Sequence, residues 1–93
     1  MLKVNEYFEG KVKSISFQDV SGPATVGVME KGEYEFGTST KEIMTIVAGS
    51  MKVLLPGEKD WKTCAEHDTF SVEAGKKFKL IIDADCSYLC LYR

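Results

Sequence analysis

Histidine is nearly absent. His67 is the only one in 93 residues, which all but excludes a metal centre built on imidazoles, because catalytic zinc sites usually take two or three. Cysteine is scarce and odd in number: Cys64, Cys86 and Cys90, with no C-x-x-C spacing. Neither a zinc knuckle nor a disulfide framework is supported. Cys86 and Cys90 stand on one face of an expected strand but about 13 Å apart along it, too far to bridge. All three read as small buried hydrophobes. No apolar run of about 18 residues exists, so no membrane-spanning helix is expected. The opening MLKVNEYFEG lacks the apolar region of a signal peptide, and a cytoplasmic location is expected. No sign of charge dominates: 12 basic and 14 acidic residues are interspersed, for a net charge of −2. A nucleic-acid surface, which needs a basic stripe, is not expected. One small anion can still be held by a local cluster. The phosphate-binding and nucleophile motifs G-x-x-x-x-G-K-[ST], G-x-G-x-x-G and G-x-S-x-G are missing, as is any sustained 3.6-residue period.

What is present is alternation. The length fits one domain, residues 1–93, small enough that a homodimer would aid its stability. Residues 32–55 organise the rest. Tyr34, Phe36 and Thr38 share a face, and Lys41, Ile43, Thr45 and Val47 alternate against Glu42, Met44, Ile46 and Ala48. Gly49 allows a tight reversal into Met51, Val53 and Leu55. Met1–Gly10 reads as an arm or edge strand. Lys11–Phe17 is a strand that places Lys11, Lys13, Ile15 and Phe17 opposite Val12, Ser14 and Ser16, with either face inward. Gln18–Pro23 is a turn cluster. Ala24–Met29 is a strand in which Gly27 marks a close backbone approach or a bulge. Glu30–Gly32 reads as a hairpin connection. Further strands are expected at Trp61–Cys64, Thr69–Val72, Lys77–Ile82 and Cys86–Tyr92. Eight to ten short strands imply an all-β antiparallel sandwich or barrel with little helix.

Few residues offer chemistry. Glu42 shares a strand face with Met44 and Ile46. It is either a partly buried carboxylate able to hold a sugar hydroxyl or move a proton, or an edge glutamate paired with Lys41 or Lys52. The connection Gly37–Lys41 (GTSTK) is either an anion nest of amides and hydroxyls or an ordinary hairpin loop. Tyr34, Phe36, Phe78, Tyr88 and Tyr92 are either plain core or an aromatic wall suited to flat heterocycles. His67 sits in the polar turn AEHD.

Glu42 and Gly49, six residues between them, match the end of the first cupin motif. Residues 73–78 (EAGKKF) match the frame of the second, Pro-x-Gly-x-x-His. Three of the four metal positions then hold Phe36, Thr38 and Phe78, leaving only Glu42, so cupin metal binding is not carried over. A more specific resemblance runs nearly end to end. NEYFEGKVKSI, ATVGVM, GEYEF, the Glu42–Met44–Thr45 group, VLLP followed by Trp61, and the closing SYLC-x-Tyr resemble the small bacterial pyrimidine/purine nucleoside phosphorylases.

That resemblance implies a cupin fold. It also implies a pentosyltransferase that cleaves diverse purine and pyrimidine nucleosides with phosphate, giving free base and α-D-ribose 1-phosphate. No cofactor is implied beyond phosphate as co-substrate. On this reading Glu42 serves the ribose hydroxyls or the developing positive charge. Thr38, Ser39 and nearby amides hold phosphate, with Lys41 or Lys13 adding charge. Phe36, Phe78 and Tyr88 stack on the base. Arg93, the only arginine and the last residue, would reach the site only from the chain end or from a partner subunit. The competing readings are a metal-free cupin that binds a small ligand without turnover, and a structural dimer with a plain apolar core.

Overall fold

The computed structural model describes residues 1–93 and contains ten strands and no helix. They are β1 (Lys3–Tyr7), β2 (Val12–Asp19), β3 (Gly22–Met29), β4 (Gly32–Gly37), β5 (Glu42–Ala48), β6 (Met51–Leu54), β7 (Lys62–Cys64), β8 (Thr69–Val72), β9 (Lys77–Ile82) and β10 (Cys86–Tyr92). They form a six-stranded sheet, β1-β2-β3-β10-β5-β8, packed on a four-stranded sheet, β4-β9-β6-β7, with every pairing antiparallel.

Alternation decides what each strand buries. In β9, Phe78, Leu80 and Ile82 point in while Lys77 and Lys79 point out. In β10, Cys86, Tyr88 and Cys90 point in. One cluster of 16 buried residues joins the sheets: Met29, Met44, Ile46 and Phe70 are among those from one side, and Tyr34, Val53, Phe78 and Leu80 among those from the other. Cys64, Cys86 and Cys90 are free thiols within it. The open choice at β2 resolves with Val12 and Ser14 inward and Lys13 outward.

Three local expectations change. Glu30–Gly32 is not a hairpin: β3 lies in the large sheet, whereas β4 pairs with β9 in the small one. Gly37–Lys41 likewise crosses between sheets instead of closing a hairpin. Turn chemistry shows where the chain bends, not which strand it joins next. The turn cluster Gln18–Pro23 is also narrower than expected. The ladder runs through Gln18↔Pro23 and Asp19↔Gly22, so only Val20 and Ser21 turn.

Gly49 sits at φ 95°, and a Cβ there would lie 2.8 Å from Cys86 Cβ. The β5-to-β6 crossover therefore needs glycine for both conformation and space. Just before it, the β5–β10 register slips between Ser87↔Ala48 and Tyr88↔Ile46. The slip is a bulge that leaves Val47 and Ala48 both facing out.

Candidate active site

The small sheet covers only part of the large one, and cavities open where the inner faces separate. A cavity of about 180 Å³ lies against Glu42. Phe36 and Phe78 come from the small sheet, Met29, Met44, Ser14, Tyr88 and Tyr92 from the large one, and Tyr7 from the edge strand. The two phenylalanines are neighbours in register on β4 and β9, and their rings stack at 5.8 Å between centroids. Phe8 extends this apolar wall, with its ring 5.4 Å edge-on to Phe36 and 5.0 Å from Tyr34. It does so from a turn in which Phe8 and Glu9 both hold left-handed backbone, at φ 52° and 58°.

The opposite wall carries hydroxyls and the carboxylate. Glu42 opens β5, half-buried, facing inward with Met44 and Ile46. The Cys90 thiol donates to its Oε1 at 3.5 Å. Burial raises the Glu42 pKa, opposed by that bond. Burial, with Glu42 beside it, pushes the Cys90 thiol up to about 12, so the sulfur stays protonated and donates. The Tyr92 hydroxyl pairs with Thr25 Oγ1 at 3.0 Å. Burial pushes the Tyr88 phenol up to about 12, opposed by the Ser14 hydroxyl. No fully buried side-chain nitrogen or oxygen lacks a partner, as the cost of an unpaired buried polar group requires.

Gly27 makes the Tyr88 position possible. It stands between Ser14 and Tyr88 in the β2–β3–β10 ladder. A Cβ on it would meet the Tyr88 hydroxyl at 2.6 Å and the Lys13 carbonyl at 2.7 Å. The close approach expected at this glycine is therefore that of the Tyr88 ring.

Of the residues singled out from sequence, the fold brings Glu42, Phe36, Phe78, Tyr88 and Tyr92 to this cavity, but not Tyr34. It does not bring Thr38, Ser39 or Lys41 to it. The Thr38 hydroxyl donates to the Glu73 carbonyl at 2.7 Å and accepts from the Lys76 amide at 3.0 Å, clamping the turn before β9. Ser39 is exposed on the crossover. Lys41 pairs with Glu73 at 3.6 Å. Lys13 pairs with Glu6 at 3.8 Å on the outer face. Arg93 is held by the Pro23 carbonyl at 2.9 Å, with Asp19 at 3.8 Å. His67 lies exposed in its turn. Ser14, Tyr7, Cys90 and Thr25 escaped the sequence reading. The period-two run Cys86, Tyr88, Cys90, Tyr92 would have grouped Cys90 with Tyr88, but nothing in the sequence marks Tyr7.

The metal positions of the cupin frame do not fit a metal. Phe36 and Phe78 have no donor atom, the Thr38 hydroxyl is committed to backbone, and no cluster of three or more His, Cys, Asp or Glu occurs.

Residues 2–92 match the family model described as pyrimidine/purine nucleoside phosphorylase. A protein of that name from Marinobacter nauticus is 56% identical over 92 residues, spanning 99% of each chain. One from Cellvibrio japonicus is 58% identical over 92 residues, again 99% of each. A Vibrio parahaemolyticus structure of unknown function superposes with a TM-score of 0.93 at 42% identity, covering 97% of this chain and 96% of that one. An RmlC-like cupin from Shewanella frigidimarina superposes with a TM-score of 0.72 at 16% identity, covering 97% and 81%, and identifies the fold as a cupin. With a match from residue 2 to residue 92 and relatives above half identity over the whole length, this chain belongs to the pyrimidine/purine nucleoside phosphorylase family.

Proposed function

We propose that the protein is a nucleoside phosphorylase, a pentosyltransferase acting on both purine and pyrimidine nucleosides in the cytoplasm. The observation that carries this reading is a half-buried carboxylate between an aromatic wall and a hydroxyl wall, in a chain matching that family throughout. A phosphate oxygen forms a bond to C1′ as the C1′–N bond breaks. The bonding pair leaves with the base nitrogen, which takes up a proton, and ribose 1-phosphate remains. The transition state is oxocarbenium-like, as in glycoside hydrolysis. The Glu42 carboxylate faces the developing positive charge or the ribose hydroxyls from a half-buried position, where a charge acts more strongly than in bulk water. Cys90 fixes the rotamer of that carboxylate. Phe36 and Phe78 stack on the base and Tyr88 closes the pocket beside it. Because the aromatic wall offers no base-specific polar group, it discriminates weakly between heterocycles, which accounts for acceptance of both base classes. No metal or organic cofactor takes part in this scheme.

The test is release of free base from uridine, adenosine, guanosine and xanthosine, with and without phosphate, in the presence of chelator. Release that requires phosphate and is indifferent to chelator is the expected result. Release without phosphate would make the protein a hydrolase. No release, with a ligand retained on purification, would make it a binding module.

A homodimer is part of the same proposal. The outer face of β1, β2 and β3 exposes Val4, Ile15, Val26 and Val28, at 62, 44, 47 and 54% of their full area. Val4, Ile15 and Val26 form one cross-strand row that ends on half-buried Leu89. A flat apolar row of this kind is self-complementary about a two-fold axis, and a second copy would relieve the shortage of core in so small a domain. Sedimentation should report a dimer that Val26→Glu converts to a folded monomer; a wild-type monomer would end this part of the proposal.

A further inference from the structure

The cavity at Glu42 is too small for the reaction assigned to it. Its volume of about 180 Å³ falls below the roughly 300–1,000 Å³ typical of ligand sites. A nucleoside and a phosphate do not both fit. Tyr7 and Tyr92, however, line a second space as well: a cleft of about 490 Å³ on the uncovered inner face of β1, β2 and β3.

This cleft differs in chemistry from the aromatic cavity. Alternation along β1 turns Lys3, Asn5 and Tyr7 inward, and all three line it together with Ser16, Gln18 and Thr25. Lys3 is the only lysine or arginine lining either space. It has no acidic partner, whereas Lys13, Lys41, Lys52 and Arg93 each lie within 4 Å of one. Lys3 stands directly opposite Ser16 in the antiparallel ladder, and such cross-strand partners hold their Cβ atoms about 5 Å apart. The Asn5 amide donates to Ser16 Oγ at 2.9 Å and to Ser14 Oγ at 3.2 Å. With a lone pair so occupied, Ser16 is left with a hydroxyl hydrogen to donate into the cleft. A cleft-lining lysine without an acidic partner, opposite in register to a serine with an O–H to donate and with Gln18 next on the same face, is a recognition set for a phosphoryl group.

We propose that the cleft beneath β1 is the phosphate-binding half of the site, with Lys3 and Ser16 as its ligands, and that substrate spans the Tyr7–Tyr92 junction with its base toward Phe36 and Phe78. This rests on the phosphorylase reading. Two sources supply the same chemistry, inorganic phosphate as the attacking group and the 5′-phosphate of a nucleotide, and the test separates them.

Lys3→Gln and Ser16→Ala are compared with wild type, using Lys59→Gln as a surface control. If the cleft holds inorganic phosphate, KM for phosphate rises about tenfold or more in Lys3→Gln and less in Ser16→Ala, while KM for uridine stays within twofold. If it holds the 5′-phosphate of a nucleotide, KM for phosphate is unchanged but inhibition of uridine cleavage by uridine 5′-monophosphate weakens by that factor. Both results support an anion site in the cleft. Unchanged phosphate KM and unchanged nucleotide inhibition in Lys3→Gln overturn it while leaving the phosphorylase reading intact. Failure of wild type to release base with phosphate is a different outcome that removes the reading itself. Lys3 is exposed at the sheet edge, so its replacement leaves the fold in place, and a ³¹P titration of the folded variant provides a readout independent of turnover.

Discussion

The two sheets present opposite chemistry to the space between them. The inner face of the four-stranded sheet is apolar throughout: Tyr34, Phe36, Phe78, Leu80, Ile82, Met51 and Val53. The inner face of the six-stranded sheet is apolar only where it is covered, with Met44, Ile46, Phe70 and Val72 on β5 and β8. Along β1, and on β2 and β3 away from the core residues Val12 and Met29, it carries Asn5, Ser14, Ser16 and Thr25. Unequal sheet width thus sets the chemistry. Covered strands must be apolar to avoid the penalty of buried, unsatisfied polar groups. The uncovered end can hold hydroxyls that bond one another and face a cleft. Glu42 lies at the boundary, half in each environment.

Five substitutions sharpen that contrast. The largest expected effect is on the boundary residue: Glu42→Gln should lower turnover at least about 100-fold, the scale of a missing catalytic charge or proton carrier, with folding retained. Turnover within twofold of wild type would remove Glu42 from the mechanism. Its stability also has a predictable pH dependence. Because burial raises the Glu42 carboxyl above its ordinary 4.5, the native state keeps this proton to higher pH than the unfolded chain. The contribution of this group to stability is therefore greatest below 4.5 and falls as pH rises through the raised value. Urea melts of Glu42→Gln should match wild type near pH 4 and equal or exceed it at pH 7.

The apolar wall comes next. Phe78→Ala empties a core position and should destabilise by about 3–5 kcal/mol; half-buried Phe36→Ala should cost less and chiefly raise KM for purine and pyrimidine nucleosides alike. Equal losses in both variants would mean that the wall is core only. On the polar wall, Gly27→Ala must displace the Tyr88 ring or the β2 backbone, at about 1–3 kcal/mol in a denaturant melt. A neutral result would show that Tyr88 is not held where the ladder puts it. Smallest is Glu9→Gly, which relieves a left-handed residue and should raise stability by up to about 1 kcal/mol; a lower melting temperature would show that the Phe8–Glu9 turn is unstrained.

Most strands were legible from alternation alone, because a two-residue period is imposed by the pleat wherever one face meets a core. So were Gly49, Gly27 and the inward face of Glu42. Partner choice was not. Sequential strands Met29-to-Gly32 and Gly37-to-Glu42 look like hairpins locally and cross between sheets in the fold. That choice depends on which apolar faces must meet across the core, a sum over the whole chain. The same global sum dispersed the expected anion loop, spending the Thr38 hydroxyl on a backbone clamp and Lys41 on Glu73. It also assembled a hydroxyl wall from residues scattered between Asn5 and Tyr92. Sequence by itself determined an all-β chain with one misplaced carboxylate and two frames of a metal motif without their ligands. Tertiary structure alone decided that one sheet would outreach the other, and the strip left uncovered is where polar side chains could turn inward and still be satisfied.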